Sequence, residues 1–262
     1  MLCSPTCDVS GWFLVWKERL LVKGVLMELD WSEQSPHIRT LYHPWQSGDG
    51  YEEQILAATE ARLGVRLPAP LRIFYHAWGR RKDMTRTNQA LLGPAELVGR
   101  PDALIFCAEN QGVYYWAIQH ENLEQANPPV VKAEALHEWH WSDLSSPLIW
   151  EPSHAHVSDF LDSLTYQHAF CGGAWHGGWG GFQPQEFHEA WLEQHWHRIK
   201  VRPMALGLAD GYDVGLPEYI DIYGRDGQVL NWFPGGCSVA ARSVEDLDEI
   251  GQTFQVTWNH RW

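Results

Sequence analysis

The chain has few basic residues, few cysteines and no apolar run long enough to cross a bilayer, and each shortage excludes a class of protein. Its most apolar early stretches, Trp12 to Trp16 and Leu20 to Leu29, are broken by Lys17, Glu18, Arg19, Lys23 and Glu28, well short of about 18 uncharged residues in a row. They carry neither the basic start nor the small-residue cleavage pattern of a signal peptide. Lysine and arginine number 19 against 33 acids, a net charge of −14. Such a surface repels phosphate backbones and anionic lipid, so neither nucleic acid nor membrane is expected as a partner. Cys3, Cys7, Cys107, Cys171 and Cys237 are an odd, scattered set in a chain too large to need disulfide staples. They point to a reducing, cytoplasmic setting.

Catalytic signatures are missing as well. There is no G-x-S-x-G elbow, no Walker loop and no dinucleotide fingerprint. Histidine is plentiful at 14 residues, yet His188-Glu189 is followed by Leu192 where a zinc-protease pattern requires histidine. His154, His156, His195 and His197 form no ligand spacing, and Cys3 with Cys7 lacks a second pair. Glu52-Glu53 and Asp246-Asp248-Glu249 fall at helix starts, where the macrodipole accounts for them. No metal, no cofactor and no catalysed reaction are expected.

Bulk and tryptophan are what the chain does have. With 262 residues, 45% hydrophobic and 20% charged, it buries a sizeable core as one large domain or two small ones. Its 16 tryptophans suit cores, sugar platforms and interface hot spots alike. The apolar pattern becomes regular only after Met27. Residues 1–26 therefore read as an upstream stretch contributing little to the fold, within an N-terminal extension over 1–48.

Asp49 with Glu52 three residues later, and Gly64 beyond, punctuate a helix. A second helix starts at Pro68 and ends at Gly79, burying Leu71, Phe74, Tyr75 and Trp78. Leu104 to Ala108 and Val113 to Ile118 read as strands joined by a Glu109-to-Gly112 turn. Val130-Val131 and Leu148-to-Trp150 suggest further strands, and a helix over Ser158–Tyr166 buries Phe160, Leu161 and Leu164. The run 171–182, with six glycines, reads as a linker or irregular loop. Beyond it come a helix over Gln185–Trp196, a hairpin of Tyr219–Tyr223 and Val229–Phe233 around Asp226-Gly227, and a helix capped by Ser243. The fold class is α+β.

Charge is unevenly placed. Residues 51–100 hold five acids and eight bases, net +3, whereas 101–167 hold ten acids and one base, Lys132, net −9. Residues 205–262 add nine acids against three bases, net −6. Acidic side chains solvate exposed faces, but they also attract a basic partner. Glu109, Glu121, Glu124, Glu134, Glu138 and Asp143, interleaved with Trp139 and Trp141, combine long-range attraction with aromatic anchors. Trp175 and Trp179 in the glycine run offer a different use, as flat faces for sugars.

The stretch Leu63-Gly64-Val65-Arg66-Leu67-Pro68 through Leu71, Phe74, Tyr75, Trp78 and Gly79 resembles the signature of the SUKH superfamily, and Leu104 to Ile118 is similar to the hairpin that follows it. The resemblance covers residues 50–167; the basic loop Arg80-Arg81-Lys82 departs from it, and 168–262 fall outside it. It implies an α+β domain over 49–167, with two helices on an antiparallel sheet and a closing helix, followed by a C-terminal α+β extension over 168–262. It further implies action through protein binding, as an immunity protein against a polymorphic toxin or as a regulatory scaffold, with no catalytic residues.

The expectation drawn from charge, missing chemistry and resemblance is a cytoplasmic immunity protein. It would capture a basic, nuclease-like toxin domain through Glu109, Glu121, Glu124, Glu138, Trp139, Trp141 and Asp143. An adaptor of the same fold is the second expectation, and a carbohydrate-binding module or hydrolase the third.

Overall fold

The computed structural model describes residues 19–22, 25–28, 40–134, 148–181, 186–201, 220–233 and 236–262. The chain divides into two compact units, Met1–Pro36 and His37–Trp262. In the first, β1 (Arg19–Val22) and β2 (Val25–Glu28) form an antiparallel hairpin with Leu20 opposite Met27. The second is a mixed α+β body whose described strands all pair antiparallel and whose described residues include six α-helices. Residues 40–48, expected in the extension, are part of it: Leu41 and Tyr42 are buried, and the Tyr42 hydroxyl donates to the Thr165 carbonyl at 2.7 Å.

Helix α1 (Glu53–Leu63) ends as expected at Gly64, whose φ of +68° costs glycine little. Its expected Asp49 cap does not form. The Asp49 carboxylate accepts instead from the Gln46 amide at 2.8 Å, and the Tyr51 amide donates to the Tyr75 carbonyl. This stretch is pressed so closely on α2 (Ala69–Trp78) that a Cβ on Gly50 would stand 1.5 Å from the His76 carbonyl oxygen. Helix α2 buries Leu71, Phe74 and Tyr75 as its spacing predicts, while Trp78, expected with them, is only partly buried. A single turn, α3 (Lys82–Thr85), follows.

The first sheet contains β3 (Ala90–Leu91), β4 (Val98–Gly99), β5 (Ala103–Ala108), β6 (Tyr114–Gln119), β7 (Val130–Glu134) and β8 (Glu151–His154). Its order is β3-β5-β6-β7-β8, with β4 also pairing β5. The expected hairpin is β5–β6, with a bulge between Ile105 and Cys107. The strand expected at 148–150 lies one step later, as β8. Ile149 is 77% exposed there, and the Trp150 indole N–H turns to Asp102 Oδ2 at 2.7 Å. Pro152 is tolerated in β8 because this is an edge strand.

Helix α4 (Val157–His168) buries Phe160, Leu161 and Leu164, but also Ser163, Thr165, Tyr166 and His168. Burial around more than one face marks a helix held between layers. Phe160 meets Phe106 and Trp116 of the first sheet at centroid distances of 5.0 and 5.7 Å. The same helix reaches the strand His197–Val201 of a second sheet.

A π-turn (Ala169–Gly173) leads from α4 into β9 (His176–Gly181). After it come α5 (Glu186–His195), β10 (His197–Val201), β11 (Ile220–Arg225), β12 (Gln228–Phe233), β13 (Gly236–Ala241), α6 (Val244–Thr253) and β14 (Thr257–Arg261). The sheet order is β10-β11-β12-β13-β9-β14. The expected linker is thus corrected: residues 176–181 form an interior strand between β13 and β14. Side chains from elsewhere fill the places its glycines leave. A Cβ on Gly177 would stand 2.2 Å from the Trp262 ring, one on Gly178 2.9 Å from the Trp258 ring, and one on Gly180 2.6 Å from Val256.

The Asp226-Gly227 turn joins β11 and β12 as predicted, and the Ser243 hydroxyl accepts from the Asp246 amide at 3.1 Å to cap α6. One face of this sheet is closed by α5 and α6 over Leu192, Tyr223, Leu230, Val239, Leu247, Ile250 and Phe254.

Candidate protein-binding surface

Antiparallel pairing of β5 with β6 brings the start of one strand beside the end of the other, so Asp102 and the turn after β6 share one end of the first sheet. The His120 amide donates to the Asp102 carbonyl at 3.0 Å, which fixes a 3₁₀ turn over His120–Asn122 carrying Glu121. Glu124 follows two residues on. Asn127 then ties this segment to the start of α4: its side-chain N–H donates to Ser158 Oγ at 2.8 Å, and its Oδ1 accepts from the Ser158 amide at 3.1 Å. Asp159 is therefore carried to the same region. Glu121, Glu124 and Asp159 are all exposed.

Asp102 anchors the group. Burial works to raise its carboxyl, but the Trp150 indole N–H and the Arg100 guanidinium outweigh it and hold the group below its ordinary value. It therefore stays charged at neutral pH. Residue spacing alone did not single out Asp102 or Asp159. The signal that finds them is strand pairing, which puts residues 18 or more apart in sequence at one sheet end.

Of the seven residues expected to meet a partner, Glu121 and Glu124 stand on this surface. Glu109 does not. It is 3% exposed, and its Oε2 accepts from the Gln111 amide at 2.7 Å and the Val113 amide at 3.2 Å, closing the β5–β6 turn. Sequence treats it as one more acid in an acidic stretch; the tight turn needs an acceptor for its inward amides. Glu138, Trp139, Trp141 and Asp143 lie outside the described residues.

Trp175 and Trp179, expected as sugar-stacking faces, are separated in role. Trp175 precedes β9, and its ring packs on His43 at a centroid distance of 3.7 Å. Trp179 stands on β9, 48% exposed, opposite Ser238 of β13 and His260 of β14.

Three of the histidines weighed as ligands are engaged locally. His154 Nδ1 meets Ser153 Oγ at 2.9 Å, His156 Nδ1 meets the Asn127 carbonyl, and His195 Nδ1 meets the Trp191 carbonyl. Among the described residues no group of three or more His, Cys, Asp or Glu side chains is placed to hold a metal ion. Cys107, Cys171 and Cys237 carry thiols whose pKa burial raises, to about 12 for Cys237, so none of them is a thiolate nucleophile at neutral pH. The arrangement at the sheet end presents charge for attraction.

Among the described residues no helix is long and apolar enough to cross a membrane. Compared with known protein families, with curated proteins and with solved structures, the chain matches none.

Proposed function

We propose that this is a SUKH-type immunity protein, which captures a basic toxin domain and covers its working surface without carrying out a reaction. The observation that carries the reading is the convergence of Asp102, which Arg100 pairs, with Glu121, Glu124 and Asp159 at one end of the first sheet, within residues 101–167, whose one base is Lys132. Carboxylates gathered this way steer a cationic partner from a distance and raise its association rate. Support also comes from the order of elements over 49–167, in which two helices, an antiparallel sheet and a closing helix follow one another. In this reading the protein works in the cytoplasm, where its thiols stay reduced. The second sheet then forms a C-terminal extension that braces α4 from behind.

The test is a titration against the purified product of the neighbouring gene, followed by stopped-flow association at rising salt. Wild-type protein should bind with an association rate that falls as salt rises. Joint Glu121→Lys, Glu124→Lys and Asp159→Lys substitution should weaken binding at least tenfold at low salt. No binding, or unchanged affinity in the triple variant, would overturn the proposal.

A further inference from the structure

On the same unit, a second surface has the opposite character. Its aromatic part is built by the segment before α1. The Trp45 indole N–H donates to the Ala77 carbonyl at 3.1 Å, leaving the ring 39% exposed. His43 packs on Trp175, which is 41% exposed and whose backbone amide donates to the Leu41 carbonyl at 3.1 Å. The cationic part comes from the loop after α2. The Arg80 amide donates to the Asp49 carbonyl at 2.9 Å, and buried Arg81 donates to the His43 carbonyl at 2.7 Å, so this loop is stitched to the aromatic segment.

The three neighbouring bases differ in what remains to them. Arg81 is spent: its guanidinium forms a two-toothed pair with Asp83, with Nη2 to Oδ2 at 2.5 Å. Arg80 and Lys82 are exposed and make no ion pair with a described carboxylate; the Arg80 guanidinium lies 5.1 Å from the Tyr51 ring centre. Two half-exposed tryptophans, a histidine and two such cations share one surface, and the two cations come from residues 51–100, which are net +3 while the whole protein is −14. Tryptophan and arginine are the side chains in which binding energy concentrates at protein interfaces. Here the Trp45 ring is held by its indole bond to a backbone carbonyl and the Trp175 ring packs on His43, so less conformational entropy remains to be lost on docking.

We infer that this surface, formed by His43, Trp45, Trp175, Arg80 and Lys82, docks an acidic peptide segment of a protein partner. Carboxylates of the segment pair with Arg80 and Lys82, and its apolar side chains cover the two indoles. Charge decides between this occupant and a single-stranded nucleic acid, which also stacks on aromatic rings beside cations. A polyphosphate strand extends past two cations into the field of a strongly acidic molecule, whereas a short acidic segment ends where the cations end. The site is independent of the acidic sheet end proposed for toxin capture.

Random 12-residue peptides displayed on phage are panned against the full chain. Enriched sequences should be net negative with aromatic or aliphatic residues between the acids. A synthetic peptide of the enriched sequence should bind at least tenfold more weakly to the Arg80→Glu/Lys82→Glu variant and to Trp175→Ala, while capture of the neighbouring gene product is unchanged. Should Trp175→Ala fail to fold, the charge-reversed variant decides, since both of its positions are exposed. Enrichment without acidic bias, or equal binding to the variants, overturns the inference. So does binding of a 20-nucleotide oligothymidine that the same substitutions abolish, which would assign the surface to single-stranded nucleic acid.

Discussion

The indole of Trp262 occupies the space that a side chain on Gly177 would need. A Cβ at that position would stand 2.2 Å from the ring and 2.7 Å from the Val239 carbonyl oxygen, while the two residues are joined by backbone hydrogen bonds in both directions. Gly177→Ala therefore forces either the ring or the strand to move. Overpacking of this kind costs about 1–3 kcal/mol, which urea unfolding would register. Combining it with Trp262→Ala should cost less than the two single changes added together, because the second removes part of the clash created by the first. Strict additivity would show that the ring and the glycine do not share this space.

That pair also explains what sequence could and could not disclose. Local signals predict the structure where the determining residues are neighbours in the chain. Gly64 ends α1, Ser243 caps α6, the Asp-Gly step turns β11 into β12, and the spacing of Leu71, Phe74 and Tyr75 orients α2. The glycine run failed because its partners, Trp258 and Trp262, lie about 80 residues away, and glycine carries no pattern of its own to announce them. Asp49 failed for a related reason. It has the chemistry of a cap, but the contact of Gly50 with α2 keeps the chain extended until Glu52. At the candidate surface, exposed Glu121 and Glu124 were legible from charge alone, whereas Glu109 has the same charge and faces inward. Composition does not separate a carboxylate that solvates a surface from one that closes a turn.

Glu109 gives a direct way to separate stability from binding. Its buried carboxylate satisfies two amides of the β5–β6 turn, at Gln111 and Val113. Glu109→Ala strands both donors and should cost about 1–3 kcal/mol. Glu109→Gln keeps a carbonyl acceptor and should cost less. Exposed Glu121→Ala should stay within about 0.5 kcal/mol of wild type. Chemical denaturation of the three variants checks the order. If Glu109→Ala proved as stable as Glu121→Ala, the turn would not depend on that carboxylate.

Two groups on α4 make stability depend on pH in opposite directions. Burial pushes the imidazole of His168 down to about 4, against its hydrogen bond to the Gln89 carbonyl, which Nε2 meets at 3.0 Å. Burial and the nearby charge of Asp159 push the Asp162 carboxyl up to about 7. For His168 the unfolded chain takes a proton below 6.5 while the folded one refuses it until about 4, so stability falls as pH drops through that window. For Asp162 the folded chain keeps a proton up to about 7 that the unfolded chain releases above 3.8, so stability falls as pH rises through that window. Each slope reaches at most about 1.4 kcal/mol per pH unit, and between about pH 4 and 6.5 they oppose one another. Asp162→Asn removes the second slope and leaves the first. The variant should match wild type near pH 4, gain on it steadily as pH rises, and hold its full advantage above pH 7. Melting temperatures of the two proteins measured side by side across this range provide the check. Parallel curves would mean that Asp162 titrates as an ordinary surface carboxylate.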